Sequence, residues 1–146
     1  MNLERVFDAL RELVWKAWTD PEHLARWWGP KGFTNVVHEW DARPGGNIHL
    51  EMIGPDGSGH PMGGTFHEVV EPERLVFTST AFEDERGFPQ LEALNTVTFV
   101  EEDGRTRVTL NAVVQKSAPA IAEALAGMSE GWSQSLDKLA DSLVAV

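Results

Sequence analysis

The sequence predicts an α+β fold, a curved antiparallel sheet closed by one long C-terminal helix. Three observations carry this. From Ser117 to Leu143, the residues Ile121, Leu125, Met128, Trp132, Leu136, Leu139 and Leu143 recur at steps of three and four, the period of an apolar helical stripe. Before that stretch, apolar residues alternate with polar ones in short runs, as in half-buried strands. The runs are mostly joined by short turns, which suit antiparallel pairing and are too short for parallel crossovers. A lone amphipathic helix is marginal in water, and the apolar face of the sheet is the surface available to cover it.

In order, Leu3 to Phe7 reads as a first strand with Leu3, Arg5 and Phe7 on one side. Asp8 is placed to cap a helix running to about Thr19, with Leu13, Val14, Trp15, Ala17 and Trp18 as its apolar faces. Asp20-Pro21 stops it and starts a second short helix through Trp27, broken by Trp28-Gly29-Pro30-Lys31-Gly32. Phe33 to Ala42 alternates, putting Val36, His38, Trp40 and Ala42 on one face. After the Pro44-Gly45-Gly46 turn, Ile48, Leu50 and Met52 oppose Asn47, His49 and Glu51. Strands are expected at Met62 to Val70 and at Leu75 to Ser79, followed by an irregular loop from Ala81 to Gln90. Leu94 to Val100 and Arg105 to Val114 form a hairpin around Glu101-Glu102-Asp103-Gly104. In the closing helix Ser117 is the expected N-cap, and Glu123, Glu130, Gln134, Asp137, Lys138 and Asp141 form the polar face. The order is strand, two short helices, six strands, long helix.

At 146 residues the chain is expected to form a single domain, 1–146, with 42% apolar and 24% charged residues. A net charge of −11 argues against nucleic acid and against an anionic membrane surface. No apolar run has spanning length and no secretory leader is visible, so a cytoplasmic location is expected. The absence of cysteine excludes thiol catalysis and disulfides. Six tryptophans and no tyrosine suit either a packed core or a ring-lined pocket.

Catalytic motifs are sparse. His38, flanked by Val36 and Trp40 on the apolar face, is the best acid–base candidate, with Glu68 or Glu51 as conceivable partners, against the plainer reading of a structurally satisfied histidine. His49 is expected in solvent. His60 lies by a glycine-rich loop, and His67 alternates with Phe66 and Glu68. No spacing suits zinc, and there is no Gly-x-Ser-x-Gly elbow or phosphate-cradling loop. The sequence therefore implies no metal and no cofactor. Glu101-Glu102-Asp103 and Glu83-Asp84-Glu85 read as solvated charge, the second beside the pocket mouth, where it would discourage anionic ligands.

The chain resembles the START-like (SRPBCC) helix-grip superfamily, in the branch related to the activator of the heat-shock-protein-90 ATPase. The resembling residues include Arg5-Val6-Phe7-Asp8-Ala9, Glu12 to Pro21, Leu24-Ala25-Arg26-Trp27-Trp28-Gly29-Pro30, Asp41-Ala42-Arg43-Pro44-Gly45-Gly46, Gly54-Pro55-Asp56-Gly57, Pro72 to Thr78, Thr96 to Phe99 and Gly131-Trp132. Leu10 stands where the branch usually has proline. The resemblance implies a seven-stranded sheet around the last helix, a deep pocket beneath it, and a homodimer. The superfamily includes lipid and hormone carriers, cyclases and hydrolases, so the fold alone does not select an activity.

The expected pocket follows from which side chains face inward: His38, Trp40, Leu50, Met52, Phe66, Phe77, Phe99, Leu110, Leu125, Met128 and Trp132. Trp27 and Trp28 are placed either to close its mouth or to pin the second helix. The favoured reading is a binding protein for a small apolar or amphipathic molecule. The alternatives are an enzyme of hydrolase or cyclase type using the same pocket, and a chaperone-regulator-like interaction module with a filled pocket.

Overall fold

The alternating runs assemble into one seven-stranded antiparallel sheet in the computed structural model, which describes residues 1–83, 86 and 88–144. The elements are β1 (Asn2–Phe7), α1 (Arg11–Thr19), α2 (Pro21–Trp27), β2 (Thr34–Trp40), β3 (Asn47–Ile53), β4 (Gly59–Val70), β5 (Arg74–Glu83), β6 (Pro89–Glu102) and β7 (Arg105–Lys116). A 3-10 turn (Pro119–Ile121), α3 (Ala122–Ala126) and α4 (Met128–Val144) follow. The strand order is β1-β7-β6-β5-β4-β3-β2, so the first strand closes the β7 edge and β2 forms the other edge. Helices α1, α2 and α4 cover one face, and the α+β class read from the sequence holds.

Several local expectations change. α1 begins at Arg11 with Leu10 at its N-cap and no side-chain cap, so Asp8 does not cap it. Asp8 is almost fully exposed and lies 3.9 Å from Arg105. Leu13 also points outward and is 42% exposed. Asp20 does stand at the N-cap of α2, and its carboxylate meets the His23 ring nitrogen. The predicted single closing helix is three pieces, with Gly127 between α3 and α4, and Ser117 caps none of them. Glycine costs about 1 kcal/mol against alanine inside a helix, which makes it a natural breaking point. The expected loop from Ala81 to Gln90 is strand at both ends, because β5 runs on to Glu83 and β6 starts at Pro89. The Asp84-Glu85 part of the expected acidic run lies outside the described residues.

Two β-bulges reset which side chains face the core. In β2 the pairing slips between Val37 and Glu39, so one residue is left over at His38. An extra residue reverses the two-residue parity of a strand. Val37 packs on the core and Trp40 is buried, while Val36 and His38 are exposed. In β4 the slip falls at His67, leaving Phe66 buried and Val69 packed against the core on the inner face.

All six tryptophans join one aromatic cluster between helices and sheet. Trp18 meets Trp27 edge-on at 4.6 Å between ring centroids, Trp28 meets Trp40 at 5.3 Å, and Trp15 meets Phe99 at 5.2 Å. Trp132 of α4 stacks on Trp18 at 6.2 Å and abuts Trp28 edge-on at 5.1 Å. Such geometries add to plain area burial. Two indoles also tie backbone: Trp27 Nε1 donates to the Ala17 carbonyl and Trp40 Nε1 to that of Trp18, each at 2.9 Å.

Candidate ligand cavity

The inner face of the central strands changes character along its length. The β5–β6 register pairs Leu75 with Val97, Phe77 with Asn95, Ser79 with Ala93, and Ala81 with Leu91. Toward one end the inward side chains are large, and Leu75, Val97, Phe99, Val108 and Leu110 are fully or almost fully buried against the helices. Toward the other they shrink to Ser79, Ala81, Ala93 and Asn95. α4 and the residue before it answer with Gly127, Gly131 and Ser135, four residues apart and so on one helical face. Short side chains on both walls leave a cavity of about 380 Å³.

Trp28 and Trp132 wall it off from the aromatic cluster, while Gly29 and Pro30 form one rim. Met52 of β3, Met62 of β4, Phe82 of β5, Leu91 of β6 and Met128 of α4 complete the apolar lining. The polar side chains in it are Ser79, Asn95 and Ser135, and among the described residues no ionisable side chain lines it. Ser135 is satisfied by the Gly131 carbonyl at 3.2 Å. Phe82 adopts φ +57, uncommon for a bulky residue and a feature that tends to gather at functional sites. A second hollow of about 450 Å³ shares Pro30, Met52, Ala81 and Phe82 with the first and adds Phe33, His60 and Gln90.

The rim is held by a lysine that the sequence places on the polar face. Lys138 Nζ donates to the carbonyls of Trp28, Gly29 and Pro30 at 3.3 Å each and of Phe33 at 3.1 Å. One ammonium thus ties α4 to the 28–33 loop, and its partial burial pushes its pKa below the ordinary lysine value. Asn35 adds to the hold, with Nδ2 donating to the Ala25 and Trp28 carbonyls at 3.1 and 2.7 Å.

Of the residues expected to line the pocket, Met52, Met128 and Trp132 do so. Trp40, Leu50, Phe66, Phe77, Phe99 and Leu110 face inward but fill the core; they are too large to leave space. Leu125 is half-buried in α3, before the break at Gly127, and is not part of the wall. His38 is on the opposite face of the sheet because of the bulge, with its ring 4.8 Å from that of His49. Glu68 is engaged with Arg74 at 3.4 Å. A histidine–carboxylate pair built on His38 therefore does not form at the cavity wall. Among the described residues no three histidine, aspartate, glutamate or cysteine side chains group as a metal site.

The match to known proteins falls on this whole architecture. The family model described as activator of Hsp90 ATPase homolog 1-like protein matches residues 8–143. The chain belongs to this family. Solved structures similar to this chain include a solution structure from Arthrobacter aurescens, 28% identical, covering 99% of this chain and 86% of that one with a TM-score of 0.88. A crystal structure from Mycobacterium smegmatis is 31% identical over 99% of this chain and 90% of that one, with a TM-score of 0.82. A Silicibacter pomeroyi protein described as AHSA1 is 26% identical over 99% of this chain and 97% of that one, with a TM-score of 0.83. No curated protein matches. Within the described residues of this family member, no helix is long and apolar enough to cross a membrane.

The expected pocket lacks the lining residues Met62, Phe82 and Leu91 and the small ones Ser79, Ala81, Ala93, Asn95, Gly127, Gly131 and Ser135. The signal available in the sequence is the small-residue spacing at 127, 131 and 135, interleaved with the Trp132 and Leu136 stripe.

Proposed function

We propose that this protein binds a small, largely apolar molecule in the cavity between α4 and the small-residue end of the sheet. The observation that carries this reading is the coincidence of short side chains on both walls, which leaves about 380 Å³ beside a closely packed aromatic core. Ligand sites are commonly hollows of roughly 300–1,000 Å³ with apolar walls and few polar groups. Methionines at three points of the wall suit an adaptable fit.

Native mass spectrometry of the purified protein, followed by thermal-shift screening of an apolar panel, tests this. A ligand that binds only the folded state raises the melting temperature by mass action. The expected result is a shift for compact apolar compounds and none for polar or anionic ones of equal size. A broad apolar panel without any shift overturns the reading.

A further inference from the structure

Asn95 is 1% exposed, yet it sits in the wall of a cavity that is otherwise almost wholly apolar. Its Nδ2 donates to the Phe77 carbonyl at 3.3 Å, to Ser79 Oγ at 2.9 Å and, at the limit, to the Ala93 carbonyl at 3.5 Å. Carbonyl oxygens only accept, so these contacts fix which end of the amide is nitrogen. The other end, Oδ1, receives no hydrogen bond from any described residue. It is also not sealed off from open space, and the open space that Asn95 borders is the cavity. Ser79 lines the same cavity; its oxygen accepts from Asn95 and its proton has no acceptor among the described residues. An acceptor and a donor therefore sit side by side in an apolar wall.

We infer that the cavity selects a neutral apolar molecule bearing a hydroxyl group, with Asn95 Oδ1 accepting its proton and Ser79 donating to its oxygen. This rests on the binding reading above and adds the chemical class of the ligand and the residue that reads it. A hydroxyl serves both partners at once. An ether serves Ser79 alone and leaves a buried acceptor unpaired, and a pure hydrocarbon leaves both unpaired; a site built for a hydrogen bond rejects such analogues. A carboxylate or an ammonium would enter a wall with no described charge to meet it.

The test uses three probes of nearly one shape, para-phenylphenol, its methyl ether and biphenyl, titrated against the full chain by isothermal calorimetry. The phenol is expected to bind about tenfold more tightly than the ether, the scale of one buried hydrogen bond. Asn95→Leu is expected to bring the two to parity. Because Asn95 also ties β5 to β6, a misfolded variant is met by a second measurement on the unaltered protein: the Asn95 side-chain amide resonances should move with the phenol and stay with the ether. Equal binding of all three probes overturns the hydroxyl assignment and leaves the cavity as a binding site. A phenol preference that survives in folded Asn95→Leu, or amide resonances that stay with the phenol, overturns the role of Asn95. Binding of none of the three overturns the assignment, and the binding reading falls with it only if the wider apolar panel also fails.

Discussion

Two ends of one sheet face behave as opposites in this molecule. At one end Leu75, Val97, Phe99, Val108 and Leu110 meet the tryptophans of α1 and α2 in a closed core. At the other, the same strands present Ser79, Ala81, Ala93 and Asn95 beneath Gly127, Gly131 and Ser135, and a cavity opens. The strands are shared; the helix above them and the volume of the inward side chains differ. A few residues of smaller size, repeated on facing walls, turn a core into a hollow.

That contrast predicts opposite responses to size changes. At the filled end, Phe99→Ala should cost about 3–5 kcal/mol, the usual range for a buried phenylalanine, read as the shift in urea midpoint at constant slope. A loss under about 1 kcal/mol would mean that this end is not close-packed. At the hollow end the sign should reverse. A Cβ added at Gly131 would touch only Pro30 Cγ, at an ordinary 3.8 Å. Gly131→Leu should therefore raise stability by about 1 kcal/mol through helix propensity while abolishing ligand-induced thermal shifts. Destabilisation of more than about 2 kcal/mol would show that no room exists there.

The same contrast explains what was legible in the sequence. Large apolar residues at regular spacing announce themselves, so Trp132, Leu136 and Leu139 located the closing helix, and Leu50, Phe77 and Phe99 located the core. The hollow end gives no such signal. Ser79, Ala81, Ala93 and Asn95 carry little hydrophobic periodicity, and Gly87 and Pro89 nearby made the outer parts of β5 and β6 read as loop. Facing and size point to the large inward side chains, most of which fill the space instead of lining it. His38 was misplaced for another reason. Alternation assumes an unbroken two-residue period, and a bulge is set by pairing with β3, which single-strand spacing does not encode.

The contrast also extends to how α4 is held. Ser133, Gln134, Asp137 and Lys138 tie it to β1 and to the 28–33 loop. Within that set, Arg5 Nη1 reaches Asp137 Oδ1 at 2.6 Å and joins the helix to the β1 edge. The Arg5 guanidinium, followed by more distant help from Lys31, holds the Asp137 carboxyl below the ordinary aspartate value of 3.8. A carboxyl more acidic in the folded chain than in the unfolded one stabilises the fold above the unfolded value, and that contribution fades as pH falls through the folded value. Both groups are partly exposed, so the effect should be the smallest of the three. Arg5→Met should raise the Asp137 titration midpoint, followed by carboxyl NMR, toward 3.8. Its stability deficit against the unaltered protein should be present at neutral pH and shrink in acid. A deficit that stays constant down to the acid limit would mean that Arg5 acts through packing of its aliphatic stem instead of through charge, and that α4 is fixed over the core by apolar contacts alone.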